Sequence, residues 1–137
     1  SKENINLILS LHPKMNRSEY DYLEKKNVVI SEYKLKNIMA ISDIYISTYS
    51  STVLWSIQLG IPSILVDFYD MNYKSYNQFE GVVKFTNKYK FELYLKTLIQ
   101  DESKYLEHKQ KQFKNSLKLG ILDGKSSDRF LKIIDSI

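Results

Sequence analysis

Two short polar motifs of this sequence have residue types and positions that suit the binding of a phosphate group. One is His12-Pro13, which follows an apolar run, and the other is the hydroxyl-rich run Ser50-Ser51-Thr52, which follows a second apolar run. A histidine at neutral pH can donate a hydrogen bond to a phosphate or protonate a leaving oxygen. Hydroxyl groups at a turn can donate further hydrogen bonds to the same anion. The two motifs together predict a site for a phosphorylated ligand.

The serine-threonine run leads from a predicted strand directly into a predicted helix, Ser51 to Leu59. Free backbone N–H groups at a helix start, together with the positive end of the helix dipole, form an anion site. The residues leave a second interpretation open, in which Ser50 or Ser51 only caps the helix. His12 has a similar alternative, as an ordinary hydrogen-bonded residue at a strand end.

These motifs need a sheet to position them, and five short apolar runs supply its predicted strands. The predicted strands are Ile5–Leu11, Asn27–Ile30, Asp43–Ser47, Ser63–Asp67 and Val82–Phe85. They alternate with helical patterns and are apolar at successive positions, which is typical of a parallel sheet buried on both faces. We expect an α/β fold with a Rossmann-like five-stranded parallel sheet in the order 2-1-3-4-5. Strands one and three are then neighbours, so His12 and the serine turn share the carboxyl edge, where ligands bind.

Helical patterns flank the predicted strands and fill the C-terminal part of the chain. The predicted helices are Tyr33–Ile41, Ser51–Leu59, Lys90–Gln100, Glu102–Lys118 and Ser126–Ile137, and the C-terminal ones should pack on the sheet. Gly60 is predicted to end the second of them as a C-terminal cap. The irregular segment Tyr69–Glu80 predicts a mobile or ligand-covering loop. His108 lies in a Lys- and Gln-rich helix and is predicted to face solvent.

Composition excludes several classes of protein. The chain has 137 residues, 43% of them hydrophobic, and no cysteine, which predicts one domain spanning residues 1–137 without disulfides, thiolate nucleophiles or Cys-based zinc sites. Its longest apolar stretches are far shorter than the roughly 20 residues of a membrane-spanning helix. No signal peptide is visible, and the start resembles that of a processed or shortened chain. A net charge of +4 favours anionic partners.

Familiar catalytic and phosphate-binding motifs are absent from the sequence. It has no G-x-G-x-x-G, no Walker A motif, no G-x-S-x-G and no carboxylate pair spaced for glycoside hydrolysis. Its 11 tyrosines fall mostly at helix or loop positions rather than in an array on one strand face, so nucleic-acid binding is disfavoured. No metal or cofactor site is predicted.

The order of the motifs resembles the C-terminal half of GT-B glycosyltransferases. The resemblance covers most of the chain and rests on five segments: His12-Pro13, Ser42 to Ser47, Tyr49 to Thr52, Leu59 to Ile64, and Leu122 to Arg129. The pattern is similar to that of bacterial capsule and cell-wall polymer enzymes with HP and SS motifs. These include the polysialyltransferase-like group and the CDP-glycerol glycerophosphotransferases.

This resemblance implies a donor-binding domain, one half of a two-domain transferase. His12, with Pro13 beside it, would contact the phosphate of a CMP-, CDP- or UDP-linked donor and act catalytically by assisting departure of the nucleotide. Ser50, Ser51 and Thr52 would hold the phosphate. The glycan acceptor and the catalytic base would belong to an N-terminal domain that these residues do not supply, so the isolated domain would be inactive. The resemblance also implies a cytoplasmic location, with peripheral association of the parent protein at the inner face of the membrane.

Two other functions are compatible with a small α/β chain. One is a non-catalytic interaction or regulatory module, although a receiver-like module needs clustered acidic residues at strand ends and only Asp67 and Asp70 approach that pattern. The other is a sugar-nucleotide epimerase-like domain, which normally has more catalytic carboxylates and histidines.

Overall fold

A computed structural model describes residues 5–72, 74–120 and 123–136. The chain divides between Ile41 and Ser42 into two compact units, each with its own parallel sheet. Three residues that belong to predicted segments lie outside the described residues: Tyr73 of the irregular loop, Leu122 of the tail motif and Ile137 of the last helix.

The first unit contains a two-stranded parallel sheet and short helical segments. Its elements in chain order are β1 (Leu7–Leu9), 3-10 segments Arg17–Glu19 and Asp21–Lys26, β2 (Val28–Ile30), α1 (Leu35–Ile38) and a 3-10 segment Met39–Ile41. Leu7 pairs with Val28 and Leu9 with Ile30. Arg17 braces the unit, because its guanidinium bonds Glu24 Oε1 at 2.8 Å and the Ile30 carbonyl at 3.4 Å.

The second unit contains a three-stranded parallel sheet in the order β3-β4-β5 and most of the helical residues. Its elements are β3 (Tyr45–Ser47), α2 (Val53–Gln58), β4 (Ser63–Val66), β5 (Val82–Phe85), α3 (Lys88–Gln100), α4 (Glu102–Leu119) and α5 (Ser126–Ile134). Leu65 is the central residue of one row across this sheet, with Ser47 on one side and Lys84 on the other.

The core of the second unit lies between α2, the sheet and the segment before β5. It is formed by Val53, Ile57, Leu65, Tyr76 and Phe79. Gly60 ends α2 at a φ of 67° and its N–H bonds the Ile57 carbonyl at 3.0 Å, so the predicted glycine cap is confirmed. Removal of this apolar surface from water is the main force that holds α2 on the sheet.

The predicted five-stranded Rossmann-like sheet in the order 2-1-3-4-5 is wrong. The strands form two separate sheets, and no ladder joins β1 to β3 in the described part of the chain. A central strand of a parallel sheet is covered on both faces, but Leu7 is 51% and Ile8 41% exposed. The charged segment after β1 folds into 3-10 turns rather than an amphipathic helix. It therefore supplies no apolar layer to cover β1.

The boundaries of several predicted elements also change. The first predicted strand, Ile5–Leu11, shortens to β1, whereas the predicted fifth strand coincides with β5. Helices α3 and α4 start after Asn87 and Asp101, whose side chains accept hydrogen bonds from Lys90 N at 3.0 Å and Lys104 N at 3.1 Å.

The tail motif has a structural role at the start of α5. Asp123 Oδ2 lies 2.7 Å from Arg129 Nη1, and Asp123 Oδ1 accepts the Lys125 N–H at 3.0 Å. The Arg129 guanidinium holds the pKa of this carboxyl below its usual value. The aspartate and arginine of the motif therefore fasten the turn that precedes the helix.

Candidate functional site

The carboxyl ends of β3, β4 and β5 meet at one edge of the three-stranded sheet because the strands are parallel. In open parallel α/β sheets this edge is where ligands bind. The predicted run Ser50-Ser51-Thr52 follows β3 at this edge and forms the turn into α2. We call residues 50–52 the hydroxyl turn.

The side chains of the hydroxyl turn bond one another. Thr52 Oγ1 lies 2.6 Å from Ser50 Oγ and 2.6 Å from the Tyr45 hydroxyl, and Ser50 Oγ also accepts the Thr52 N–H at 3.2 Å. Ser50 and Thr52 are partly buried, whereas Ser51 is exposed. The turn is thus a preformed group of hydroxyls in which Ser51 is the member that faces solvent.

The backbone amides at the start of α2 are already hydrogen-bonded. The Thr52 N–H donates to Ser50 Oγ, the Val53 N–H to the Ser50 carbonyl at 3.3 Å, and the Leu54 N–H to the Ser51 carbonyl at 3.1 Å. The N-cap of α2 is Thr52, which makes no side-chain cap bond, so Ser50 stabilises the turn before the helix rather than capping it. An anion at this turn would meet hydroxyl donors rather than these three amides.

The irregular segment Tyr69–Glu80 is anchored to the hydroxyl turn. The Tyr76 hydroxyl donates to the Ser50 carbonyl at 2.9 Å, and the rings of Tyr76 and Phe79 are buried in the core. Tyr69, by contrast, is 86% exposed. The buried rings of Tyr76 and Phe79 therefore hold the segment against the turn, whereas Tyr69 and Asn77 are among its exposed residues.

Asp67, which directly follows β4, is buried and fully engaged in local structure. Its Oδ1 accepts the Met71 N–H at 2.8 Å, and its Oδ2 lies 2.9 Å from Lys84 Nζ. The bond to Lys84, then that to Met71, holds the pKa of this carboxyl below its usual value, so it is ionised at neutral pH. Asp67 is placed to orient the Lys84 ammonium group and the loop after β4.

Sequence reasoning missed two polar groups on β3 and β5. Ser47 Oγ is buried and has no hydrogen-bond partner among the described residues, and Lys84 lies in the same row of the sheet, across Leu65. A signal for Lys84 was visible, since it interrupts the apolar run Val82 to Phe85. Ser47 ends a predicted strand at the edge where ligands bind, but no pattern in the sequence shows that its hydroxyl is buried without a partner.

His12 and Pro13 lie in the first unit, in the turn after β1. His12 is exposed, its Nδ1 accepts the Lys14 N–H at 3.2 Å, and its carbonyl accepts the Met15 N–H at 2.8 Å. The β1–β3 ladder that was predicted to place His12 beside the hydroxyl turn is not formed. The structure thus brings Ser50, Ser51 and Thr52 together, and it describes the His12-Pro13 turn within a separate unit.

His108 is buried, so its predicted exposure to solvent is wrong. It is 4% exposed, its Nε2 lies 2.9 Å from the Gly81 carbonyl and its Nδ1 lies 3.0 Å from the Tyr94 hydroxyl. A carbonyl only accepts hydrogen bonds, so Nε2 carries the proton and Nδ1 accepts from Tyr94. Burial lowers the pKa of His108, which keeps the ring neutral.

A buried polar cluster fastens α4 to α2 and β4. Gln112 Nε2 donates to Ser63 Oγ at 2.7 Å and to the Ile61 carbonyl at 3.0 Å, and Ser63 Oγ lies 2.7 Å from Ser56 Oγ. Gly81 permits this packing, because a Cβ there would lie 2.6 Å from Gln112 Cα. Sequence reasoning missed this cluster, since Gln and Ser on a polar helix usually predict a solvent-facing surface.

The described residues contain no group of three or more His, Cys, Asp or Glu side chains arranged to hold a metal ion. Over the same residues, no helix is both long enough and apolar enough to cross a membrane.

No protein-family model, curated protein or solved structure matches the chain. The resemblance to GT-B transferases therefore stays a prediction from the motifs.

Proposed function

We propose that this chain is the donor-binding half of a glycosyltransferase, or of a polyol-phosphate transferase, that builds a surface polysaccharide such as a capsule. The donor is a sugar or polyol linked to CMP, CDP or UDP, and its phosphate contacts the hydroxyl turn. The observation that carries the proposal is the group of preformed hydroxyls after β3, at the edge of a parallel sheet where ligands bind.

Two further features of the same unit support a phosphorylated ligand. Lys84 supplies a partly exposed ammonium group that Asp67 orients through a 2.9 Å ion pair. Ser47 Oγ is a buried hydroxyl at the end of β3 with no hydrogen-bond partner among the described residues. An unpaired buried hydroxyl carries a free-energy cost that a ligand or water can remove.

The hydroxyls of the turn have different roles in this proposal. Ser50 and Thr52 bond each other and Tyr45, so they shape the turn, and exposed Ser51 makes the direct contact with phosphate. Because the amides of Thr52, Val53 and Leu54 have partners, binding depends on hydroxyl donors. A ligand with a terminal or bridging phosphate then gains charge-assisted hydrogen bonds to neutral donors.

On the motif resemblance alone, His12 is also proposed as a catalytic residue. Its exposed imidazole can donate to a phosphate or protonate a departing oxygen, and Pro13 restricts the backbone that carries it. The acceptor glycan and the general base come from a further domain, so the chain alone binds the donor without transferring it. The proposed protein works in the cytoplasm, where nucleotide-activated donors are made, at the inner face of the membrane.

Nucleotide titration of the chain tests the proposal. We expect CMP, CDP or UDP to bind with a Kd of about 1 mM or tighter, measured by calorimetry or amide chemical shifts, and GDP to bind less well. Ser51→Ala should weaken binding several-fold without changing the midpoint of urea unfolding, because Ser51 is exposed. The matched control is Ser127→Ala, an exposed serine at the start of α5.

Two results would contradict the proposal. If no pyrimidine nucleotide binds at millimolar concentration, the hydroxyl turn is not a donor site. If a nucleotide binds equally well to the wild type, Ser51→Ala and His12→Ala, the ligand lies elsewhere and these residues have only local structural roles. Lys14→Ala serves as the control for His12→Ala, since it removes an exposed side chain from the same turn.

A further inference from the structure

Helix α4 carries an exposed apolar stripe on the side that faces away from the sheet. Leu106 is 46%, Phe113 59% and Leu117 69% exposed. Together with Leu59 and Gly60 at the end of α2, the first two of these residues line a groove of about 360 Å³. Clustered exposed apolar side chains of this kind mark interaction sites more often than scattered ones do.

The spacing of the stripe suits another helix. Leu106, Gln110, Phe113 and Leu117 follow one another at intervals of four, three and four residues, which is the seam of a coiled coil. The opposite side of α4 is occupied, because His108, Gln112 and Asn115 are buried against the rest of the unit. The helix therefore has one partnered side and one seam that is open in the described structure.

The charges beside the seam select the partner. Lys109 and Lys114 flank the apolar residues on the two sides of the groove, and Lys109 Nζ lies 5.7 Å from the centre of the Tyr105 ring. A second copy docking in parallel through the same seam would bring Lys109 against Lys114, which is unfavourable. Glu107, which also flanks the seam, is already paired with Lys104 and Lys111 of its own helix. Acidic residues at the flanking positions of a partner would instead pair with both lysines.

We propose that the α4 groove binds an amphipathic α-helix of another protein, with apolar residues along its seam and acidic residues beside them. The groove lies at the end of α2, whereas the hydroxyl turn lies at its start, so this surface is distinct from the proposed donor site. Phe113 is the central apolar contact, and Lys109 and Lys114 set the specificity for acidic partners.

Binding of designed helical peptides tests this proposal on the whole chain. The probe is a fluorescein-labelled helical peptide of three heptads, with leucine at the two seam positions (a and d) and glutamate at the two flanking positions (e and g). A second peptide for comparison has lysine instead of glutamate at the flanking positions. We expect the glutamate peptide to bind at least about tenfold more tightly in fluorescence anisotropy. Phe113→Ser should weaken this binding at least about tenfold, and Leu93→Ser, an exposed leucine of α3, should not.

A charge reversal makes the test specific. The double variant Lys109→Glu with Lys114→Glu should prefer the lysine peptide, while its circular dichroism spectrum stays that of the wild type. Three outcomes would overturn the proposal: equal binding of both peptides, dimerisation that Phe113→Ser abolishes, or binding of phosphatidylglycerol vesicles that the double variant loses while the peptide fails to bind. The last two would assign the groove to a second copy and to a lipid surface, respectively.

Discussion

Ser50 and Ser51 are adjacent serines with different positions in the hydroxyl turn. Ser50 Oγ accepts the Thr52 N–H and bonds the Thr52 hydroxyl, whereas Ser51 is exposed. From the sequence either serine could cap α2, because both precede the helix. In the structure neither is the N-cap, which is Thr52, and the path of the chain after β3 turns Ser50 inward and Ser51 outward.

His108 shows that residue type alone does not give burial. Its two ring nitrogens have partners on different elements, the Gly81 carbonyl before β5 and the Tyr94 hydroxyl of α3. Both partners are distant in sequence, so no local pattern around His108 predicts them. The buried ring links α3 and α4 to the start of β5 in a single hydrogen-bonded arrangement.

The stability of the protein should fall as the pH drops below about 6.5, because burial lowers the pKa of His108 in the folded state. The unfolded chain binds a proton at its ordinary histidine pKa, whereas the folded chain binds one only at lower pH. The free energy of unfolding, measured with urea, should therefore decrease as the pH falls through the ordinary histidine pKa and level off below the lowered folded pKa.

His108→Gln is the control for this pH dependence. Glutamine can donate to the Gly81 carbonyl but does not titrate, so the variant should be less stable than the wild type at neutral pH and should lose less stability on acidification. Asp67, Glu107 and Asp123 have lowered pKa values, so the stability that these carboxylates contribute is lost only at more acidic pH. An unchanged slope in His108→Gln would show that another group governs this pH range.

At the scale of the element, α4 has a buried face and an exposed face, and both contain glutamine, so residue type does not distinguish them. The stretch from Lys109 to Lys114 contains two glutamines, of which Gln112 is fully buried and Gln110 lies on the exposed seam. The helical period explains the difference, because residues two apart point to different sides of a helix. Which side is buried depends on where α2 and β4 lie.

Gln112→Leu should destabilise the protein by about 2–4 kcal/mol, because it leaves the Ser63 hydroxyl, the Ile61 carbonyl and the Asn115 amide with fewer partners in the interior. Gln110→Leu is the matched control, with an expected change within about 0.5 kcal/mol. Urea unfolding of both variants measures the difference. Equal stabilities would show that the buried polar cluster contributes little beyond its volume.

The positions of the short strands could be predicted from the sequence, but their pairing could not. The apolar runs predicted every strand position, since a run such as Ile64 to Val66 favours extended, buried backbone. Each strand has only three or four residues, however, so each ladder contains few hydrogen bonds. The pairing between strands therefore depends on what covers their faces, which the runs themselves do not specify.

At the scale of the whole molecule, apolar burial is unevenly distributed between the two units. Of the buried hydrophobic residues in the described structure, only Ile30 and Met39 belong to the first unit. Val29 of β2 is 59% exposed. Units of about 40 residues seldom build a sufficient core by themselves, so the first unit should be the less stable one.

Amide hydrogen exchange of the whole chain should show this difference. We expect the amides of β1 and β2 to exchange at least about tenfold faster than those of β4, because their opening requires less apolar surface to be exposed. Mass spectrometry of peptic fragments measures both regions in one sample. Equal protection of β2 and β4 would mean that the first unit is stabilised as strongly as the second.

Some features of the candidate site depend on neighbouring residues and could be predicted, whereas others depend on residues far apart in the sequence. The hydroxyl turn was predictable, because its three residues are contiguous and follow a recognisable strand. The Asp67–Lys84 ion pair was not, since it joins the residue after β4 to a residue of β5. The predicted meeting of His12 with the hydroxyl turn depended on a β1–β3 ladder, and that ladder is not formed.

The sequence by itself determined the local features of this protein: the apolar strands, the glycine cap of α2 at Gly60, the hydroxyl turn after β3 and the amphipathic pattern of α4. These features depend on residues within one or two helical turns, and their energies are local. Only the tertiary structure decided that the strands form two sheets, that His108 and Gln112 are buried, and that Lys84 pairs with Asp67. The physical reason is that each of these depends on packing between segments far apart in the chain.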